Sequence, residues 1–557
     1  PGTARVVQAT PEPLHALQGN LPSHALIGVP AEGPIDPASP GAVDGQRYFT
    51  GSQDEGSLIA QVPWSTWAGP ALAWLPIILG MMAACIGLAG VVRRQWAEHE
   101  RLPFPVATVM GSLIAEPAAG SRLPPVMRTR IFWIAAAVPV IVVISHQLAA
   151  WGWFPVGIPT QLDYQESFKG KPWDTAYMPF WLYQVRIYFS VIAFSFLMPA
   201  GLSFSLWAGF IATNLLFMLF RQYGLGVDPM HVSQVGMSGF LAFALAIAWL
   251  GRHWYWAVLR AACGGGADAH ARAVAPMAWL ALGGAIAMGA GLMAMGAGLL
   301  PAVVAILLFL ALAIVLARIV AEAGLPFFQL PNGCGFSQVV FSAIGIHVPL
   351  AALAPIALFG ATLAADSREH LLPYALNGQH INAAGPRPMR LAGLQMSAVL
   401  IAAVVAGAVM LIIGYAIGHR DGYWDTSTGA NNLTPMVNAW TGASLGQSPA
   451  AWTAGGLLVA ACSVARSLFA WWPLHPLGII LIPTYPIWAG WASICIGWLA
   501  KVAVMRYGGT GLYARLYPAA IGLIAGEAIA ALIGLVITTG VKANGGSLPW
   551  VPTLLPT

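Results

Sequence analysis

The sequence predicts an all-α protein, a polytopic transmembrane helix bundle. Three observations carry this. Only 8% of the 557 residues are Asp, Glu, Lys or Arg, against about 25% in a typical soluble domain. Apolar residues make up 58% and the mean hydropathy is +0.72, so there are too few charges to cover a soluble surface. The apolar runs are long and lack apolar/polar alternation, so the backbone satisfies itself as helix rather than as a closed barrel.

Stretches without Asp, Glu, Lys or Arg mark the spans: 56–92, 131–162, 187–220, 229–251, 273–317, 323–365, 391–419, 426–465 and 467–500. A span needs about 20 apolar residues, and several stretches hold two. The expectation is ten to twelve membrane segments, some short or broken. Residues 1–66 read as a polar extramembrane segment, 67–541 as the transmembrane domain and 542–557 as a short polar, Pro-containing tail. The chain opens Pro-Gly-Thr without Met or a signal-peptide pattern. It reads as a loop that follows earlier spans, with the true start missing.

The first span is 68–92. The loop to Arg130 carries six Arg and no Lys, which assigns it to the cytoplasm. Residues 131–152 cross back, and the polar, aromatic 153–186 is external. Residues 187–222 are too long for one span and break at Met198-Pro199-Ala200-Gly201, where Pro removes a helix hydrogen bond. A helix over 232–262 leads to the loop Gly264–Arg272. Spans at 275–297 and 300–320 follow, the first with Gly283, Ala287 and Gly291 at four-residue spacing, a face that admits a neighbouring helix. Residues 324–346 contain Gly324-Leu325-Pro326 and Pro331-Asn332-Gly333, poor continuous helix but a good unwound segment. Then come a span at 347–365, a polar link at 366–391, a span at 392–417 and an external loop at 418–450. Spans near 451–471, 487–505 and 517–540 close the domain. A second interrupted segment, rich in Pro and Gly, lies at 473–486. Both interrupted segments are predicted to be partly non-helical and to face each other.

Catalytic motifs are missing. None of Lys169, Lys171, Lys501 and Lys542 precedes Ser or Thr, so there is no phosphate-binding loop. There is no HExxH, CxxCH or GxSxG. The five cysteines form no CxxC pair and the twelve histidines no i,i+4 pair, so neither a cofactor nor a metal is expected. The net charge of +5 comes from scattered residues that act as topology markers, with no basic face for nucleic acid.

Ionisable residues at membrane depth are the strongest functional signal, because they are costly in hydrocarbon and face a cavity, a partner or the interface. Arg318 and Glu322 share one helix face at the end of a span. That pair is either an interfacial ion pair or a site at a helix break. Glu527 stands alone in Gly526-Glu527-Ala528. It either pairs with a cation from another helix, Arg466 or Lys501, or carries a proton. Arg466 opens the second broken region, which holds His475 and whose Trp471-Trp472 also suits an interface belt. His146 and His347, at the margins of apolar runs, read as structural histidines. The expected solute or ion path comprises Glu322, Arg318, Asn332, Arg466, His475 and Glu527, with Glu527 as the coupling carboxylate and Glu322 shaping the broken helix.

Several strings occur together: Glu100-Arg101-Leu102-Pro103-Phe104-Pro105, the stretch from Arg318 to Phe327, Trp471 to Gly478, and Arg506-Tyr507-Gly508-Gly509 followed by Tyr513, Tyr517-Pro518 and Gly522 to Glu527. In order and spacing this combination resembles the oligopeptide transporter superfamily, in a prokaryotic branch of unknown function, from Pro63-Trp64 onward. The resemblance implies many helices in repeated halves, further spans before residue 1, and uptake of peptides or metal chelates driven by ion gradients. Ligand residues assigned in other branches do not map onto positions here.

The expectation is therefore a secondary transporter in a bacterial cytoplasmic membrane, not an enzyme. Its partners are the lipid bilayer, a small-molecule solute and other copies or subunits of a membrane complex. A non-transporting structural or assembly subunit is the alternative, and a lipid-modifying enzyme using His and Arg around 466–475 the third reading. The arginine bias yields a test. A cysteine placed at Ser427 should react with an impermeant thiol reagent in intact cells, and one at Ser121 should not. The reverse labelling would invert the topology.

Overall fold

The computed structural model describes residues 21–27, 29, 36–51, 57–117, 120–266, 268–325, 329–331, 334–344, 348–364, 370–383, 388–418, 448–469, 471–543, 546 and 548. Among them the structure is helical, with one short antiparallel pair in which Gln161–Asp163 meets Gln184–Arg186. Nine helices among the described residues are long and apolar enough to cross a membrane, and the protein is an integral membrane protein. The expected loop at 418–450 lies almost wholly outside the described residues, as do Asn332 and His347.

The chain divides into two compact units. In the first, Trp64–Arg94 packs along Ala269–Ala294. The approach is backbone to backbone: a Cβ on Gly80 would meet Gly284 O at 2.7 Å. Dispersion between closely spaced backbones replaces the hydrophobic drive that lipid removes. Of the stripe expected here, Gly291 lies against Ile77, whereas Gly283 has open space around it. The face in contact is a neighbouring one, through Ala281, Gly284 and Met288. The polar link at 366–391 is not a simple loop. It contains the helix Leu371–Ile381, which packs on Trp64–Arg94 and donates from Gln379 Nε2 to Ile86 O at 3.1 Å. The helix expected over 232–262 is likewise two, Pro229–Leu250 and Arg252–Ala262.

In the second unit, the expected break at 198–201 is present. Phe189–Leu197 ends at Met198 and Ala200–Gln222 begins after Pro199. The last helix, Tyr485–Ala543, holds 59 residues and a non-helical Gly509 at φ 61, ψ −164. That point divides it into two segments that match the spans expected near 487–505 and 517–540. The first segment packs on Phe189–Leu197, where a Cβ on Gly497 would strike Ile192 O, and the second packs on Arg130–Ala150, where one on Gly526 would strike Ala136 O.

The conformation at Gly509 is one that only glycine adopts without strain. Gly509→Ala is expected to lower stability in detergent by about 1–3 kcal/mol. Gly511→Ala, at a helical position with open space, should be neutral or stabilising by up to about 1 kcal/mol. Thermal unfolding of the two variants checks the contrast.

Candidate functional site

Two buried polar clusters lie in the second unit, each where a helix is interrupted. The first begins with a missing cap. Phe189–Leu197 has Tyr188 at its N-cap and no side-chain cap bond, so its first amides need acceptors from elsewhere. Glu527 supplies them. Its Oε1 accepts from Phe189 N at 2.9 Å and its Oε2 from Ser190 N at 2.8 Å. Oε2 also accepts from Ser190 Oγ. The carboxylate is 1% exposed, and it meets these donors at the positive end of the helix dipole.

The opposite end of the same helix receives a cation. Lys501 Nζ donates to Met198 O at 2.6 Å and to Leu197 O at 3.4 Å, and lies 5.3 Å from the Tyr513 ring centre. Neither Lys501 nor Arg466 is therefore the partner of Glu527. Lys501 satisfies carbonyls at the other terminus, and Arg466 is exposed on Pro449–Leu468. A cavity of about 50 Å³ reaches Glu527 and is lined also by His146, Gln161, Arg186 and Tyr188, enough room for water.

The second cluster forms where Leu299–Ala323 stops at Gly324, φ 74, a left-handed helix end of the usual kind. Glu322 sits in the last turn, where the dipole disfavours a negative charge. Two groups compensate. Arg318 Nε lies 3.3 Å from Glu322 Oε2, and His475 Nε2 lies 2.9 Å from Oε1. Arg318 Nη1 also meets Glu100. His475 caps the short helix Pro476–Leu481, its Nδ1 accepting from Leu477 N at 3.2 Å. With Nδ1 accepting, Nε2 is the ring nitrogen that donates to Glu322. His475 N in turn donates to Ser205 Oγ at 2.7 Å. The end of the helix Leu299–Ala323, just before the first interrupted segment, is thus joined through Glu322 to His475 in the second.

Glu100 belongs to this cluster although charge spacing alone does not single it out. The segment after it is strained, with Arg101 at φ 54 and Phe104 at φ 44, left-handed conformations uncommon for such residues. It is held by Phe104 N donating to Ala321 O at 2.9 Å, which occupies a carbonyl the ending helix leaves open. Of the expected path residues, the structure brings together Arg318, Glu322 and His475. Glu527 stands in the separate clamp, Arg466 on the surface, and Asn332 outside the described residues. Both interrupted segments are partly non-helical: residues 324, 325, 329–331, 334 and 335 in the first, and 473–475 and 482–484 in the second. Among the described residues no group of three or more His, Cys, Asp or Glu gathers as for a metal ion.

Truncating Glu527 leaves buried donors unsatisfied. Glu527→Ala should cost about 2–4 kcal/mol, and Lys501→Met, at a half-buried position, about 1 kcal/mol. Chemical denaturation in detergent measures both. A Glu527→Ala protein as stable as its parent would remove the clamp.

No curated protein matches this chain. Residues 15–547 match a family of unknown function, DUF6785, and the chain belongs to that family.

Proposed function

We propose that this protein is a secondary active transporter of the oligopeptide-transporter-like type, importing small peptides or related organic solutes and metal chelates by ion coupling across a bacterial cytoplasmic membrane. The supporting observation is the contact of Glu322 with His475, which links the end of a membrane helix to an interrupted segment through a carboxylate, a guanidinium and an imidazole. Discontinuous helices that carry ionisable groups are the recurring construction of transporter sites. His475 bonds through both ring nitrogens, Nδ1 to the start of Pro476–Leu481 and Nε2 to Glu322, so it couples the carboxylate to that helix. Glu527, saturated by backbone donors, takes a supporting role in this reading, and the coupling role passes to Glu322 and His475.

The alternative, a non-transporting subunit of a membrane complex, draws on that same saturation: a fully bonded Glu527 also suits an inert scaffold. Reconstituted vesicles separate the two. Under an imposed proton or sodium gradient, the parent protein should accumulate short peptides or metal chelates. Glu322→Gln should cut the rate at least about tenfold, the scale of one lost charge-assisted contact, with an unchanged gel-filtration profile. His475→Asn keeps a cap acceptor but loses the Nε2 donor, and should change the pH profile of uptake. If no gradient drives uptake of these solutes by the parent protein, the transport reading fails and the scaffold stands.

A further inference from the structure

A cleft of about 250 Å³ opens in the first unit, beside the Arg252–Ala262 helix and the start of Ala269–Ala294. His253, Trp256, Arg260, Gly266, Asp268 and Ala271 line it. It lies where the chain leaves the membrane: Pro229–Leu250 and Ala269–Ala294 are both candidate spans, and the cleft is built from the segment that joins them. The short helix here is amphipathic. Trp254 and Val258 are buried, and Trp254 Nε1 donates to Val91 O at 2.9 Å. Arg252, His253, Trp256 and Arg260 are exposed. Trp249, Trp256 and Trp279 are exposed around it, with Trp279 Nε1 bonded to Ala262 O at 3.0 Å. Exposed indoles beside arginines mark the depth of the lipid headgroups.

The cleft presents both signs of charge. Arg260 lies over the Trp256 ring at 5.6 Å, which fixes the guanidinium at the wall. Asp268 accepts from His270 N at 2.8 Å, and that backbone bond holds its carboxyl below the usual carboxylate range, so it is charged at neutral pH. Arg260 and Asp268 line one cleft without pairing with each other among the described salt bridges. A ligand that carries an anion and a cation a few ångströms apart would satisfy both. Below the cleft, Trp279, Leu282 and Ile286 are exposed. They follow Ala271 by 8, 11 and 15 residues, so they lie on its side of the helix and offer an apolar track for acyl chains.

We propose that this cleft binds the headgroup of a phospholipid bearing a primary amine, of the phosphatidylethanolamine class, with the phosphate on Arg260 and His253 and the ammonium on Asp268. A guanidinium matches phosphate oxygens in a fork. A primary ammonium donates hydrogen bonds to a carboxylate, which the trimethylated amine of a choline lipid cannot do. The choice between ethanolamine and choline therefore rests on Asp268, and the affinity for phosphate on Arg260.

The test uses the full chain in detergent, titrated separately with phosphatidylethanolamine, phosphatidylcholine and phosphatidylglycerol of matched acyl chains and with soluble glycerophosphoethanolamine. Bound lipid is counted by native mass spectrometry. The parent should retain the ethanolamine lipid about tenfold better than the choline lipid, the scale of one charge-assisted hydrogen bond. Asp268→Asn keeps a helix-capping side chain, so it should fold, retain the phosphate contact and lose that preference. Arg260→Gln should weaken retention of all three lipids. Equal retention of the three by the parent, preference for phosphatidylglycerol, an unaltered preference in Asp268→Asn, or saturation by the soluble compound at the concentration that saturates the lipid would each overturn the proposal.

Discussion

A helix that ends inside a membrane protein leaves backbone amides at one terminus and carbonyls at the other with no water to meet them. Phe189–Leu197 is such a helix, and the second unit is arranged around supplying its ends. Glu527 meets the amides and Lys501 the carbonyls. Both come from Tyr485–Ala543. Twenty-six residues of straight helix would hold them about 39 Å apart, while nine residues of helix span about 13 Å. The bend at Gly509 resolves the mismatch. It divides one long apolar run into two segments, and so allows a single stretch of chain to deliver an anion to one end of a half-helix and a cation to the other. The small residues along it, Gly497, Gly522 and Gly526, let those segments approach their neighbours closely enough for the side chains to reach.

That dependence explains what was legible in the sequence. The spans could be read because hydrophobicity has no competitor in deciding what lipid accepts. The breaks at Pro199 and near Gly324 and Pro473 could be read because Pro and Gly act locally. Helix Leu371–Ile381 was not legible: its polar Asn377 and Gln379 are buried against neighbours, and composition alone takes such residues for a loop. The two cations expected near Glu527 lie elsewhere for a similar reason. Counting side-chain charges looks for a cation, whereas the partner is a helix terminus, which sequence charge does not record. One signal did point to it. A helix opening at Tyr188-Phe189-Ser190 carries no short polar N-cap, so its amides require an acceptor from another element, and a lone glutamate between apolar helices is a natural source.

The two carboxylates therefore differ in kind, although both occur in apolar surroundings. Glu527 has three donors on its two oxygens, two of them backbone amides that cannot move without unwinding the helix they begin. A proton placed on that carboxylate would face N–H groups already aimed at it, so the arrangement resists change. Among the described residues Glu322 is held by two side chains, Arg318 and His475, on the last turn of a helix whose dipole opposes its charge. Side-chain rotation is enough to alter its contacts. The same imidazole holds Pro476–Leu481 through Leu477 N, and the same arginine reaches Glu100 at the head of a strained left-handed segment. A change of charge at Glu322 would thus be felt at once in three interrupted pieces of backbone. The two carboxylates are thus held in different ways: Glu527 by the backbone of a half-helix whose other end Lys501 meets, and Glu322 by the side chains of Arg318 and His475.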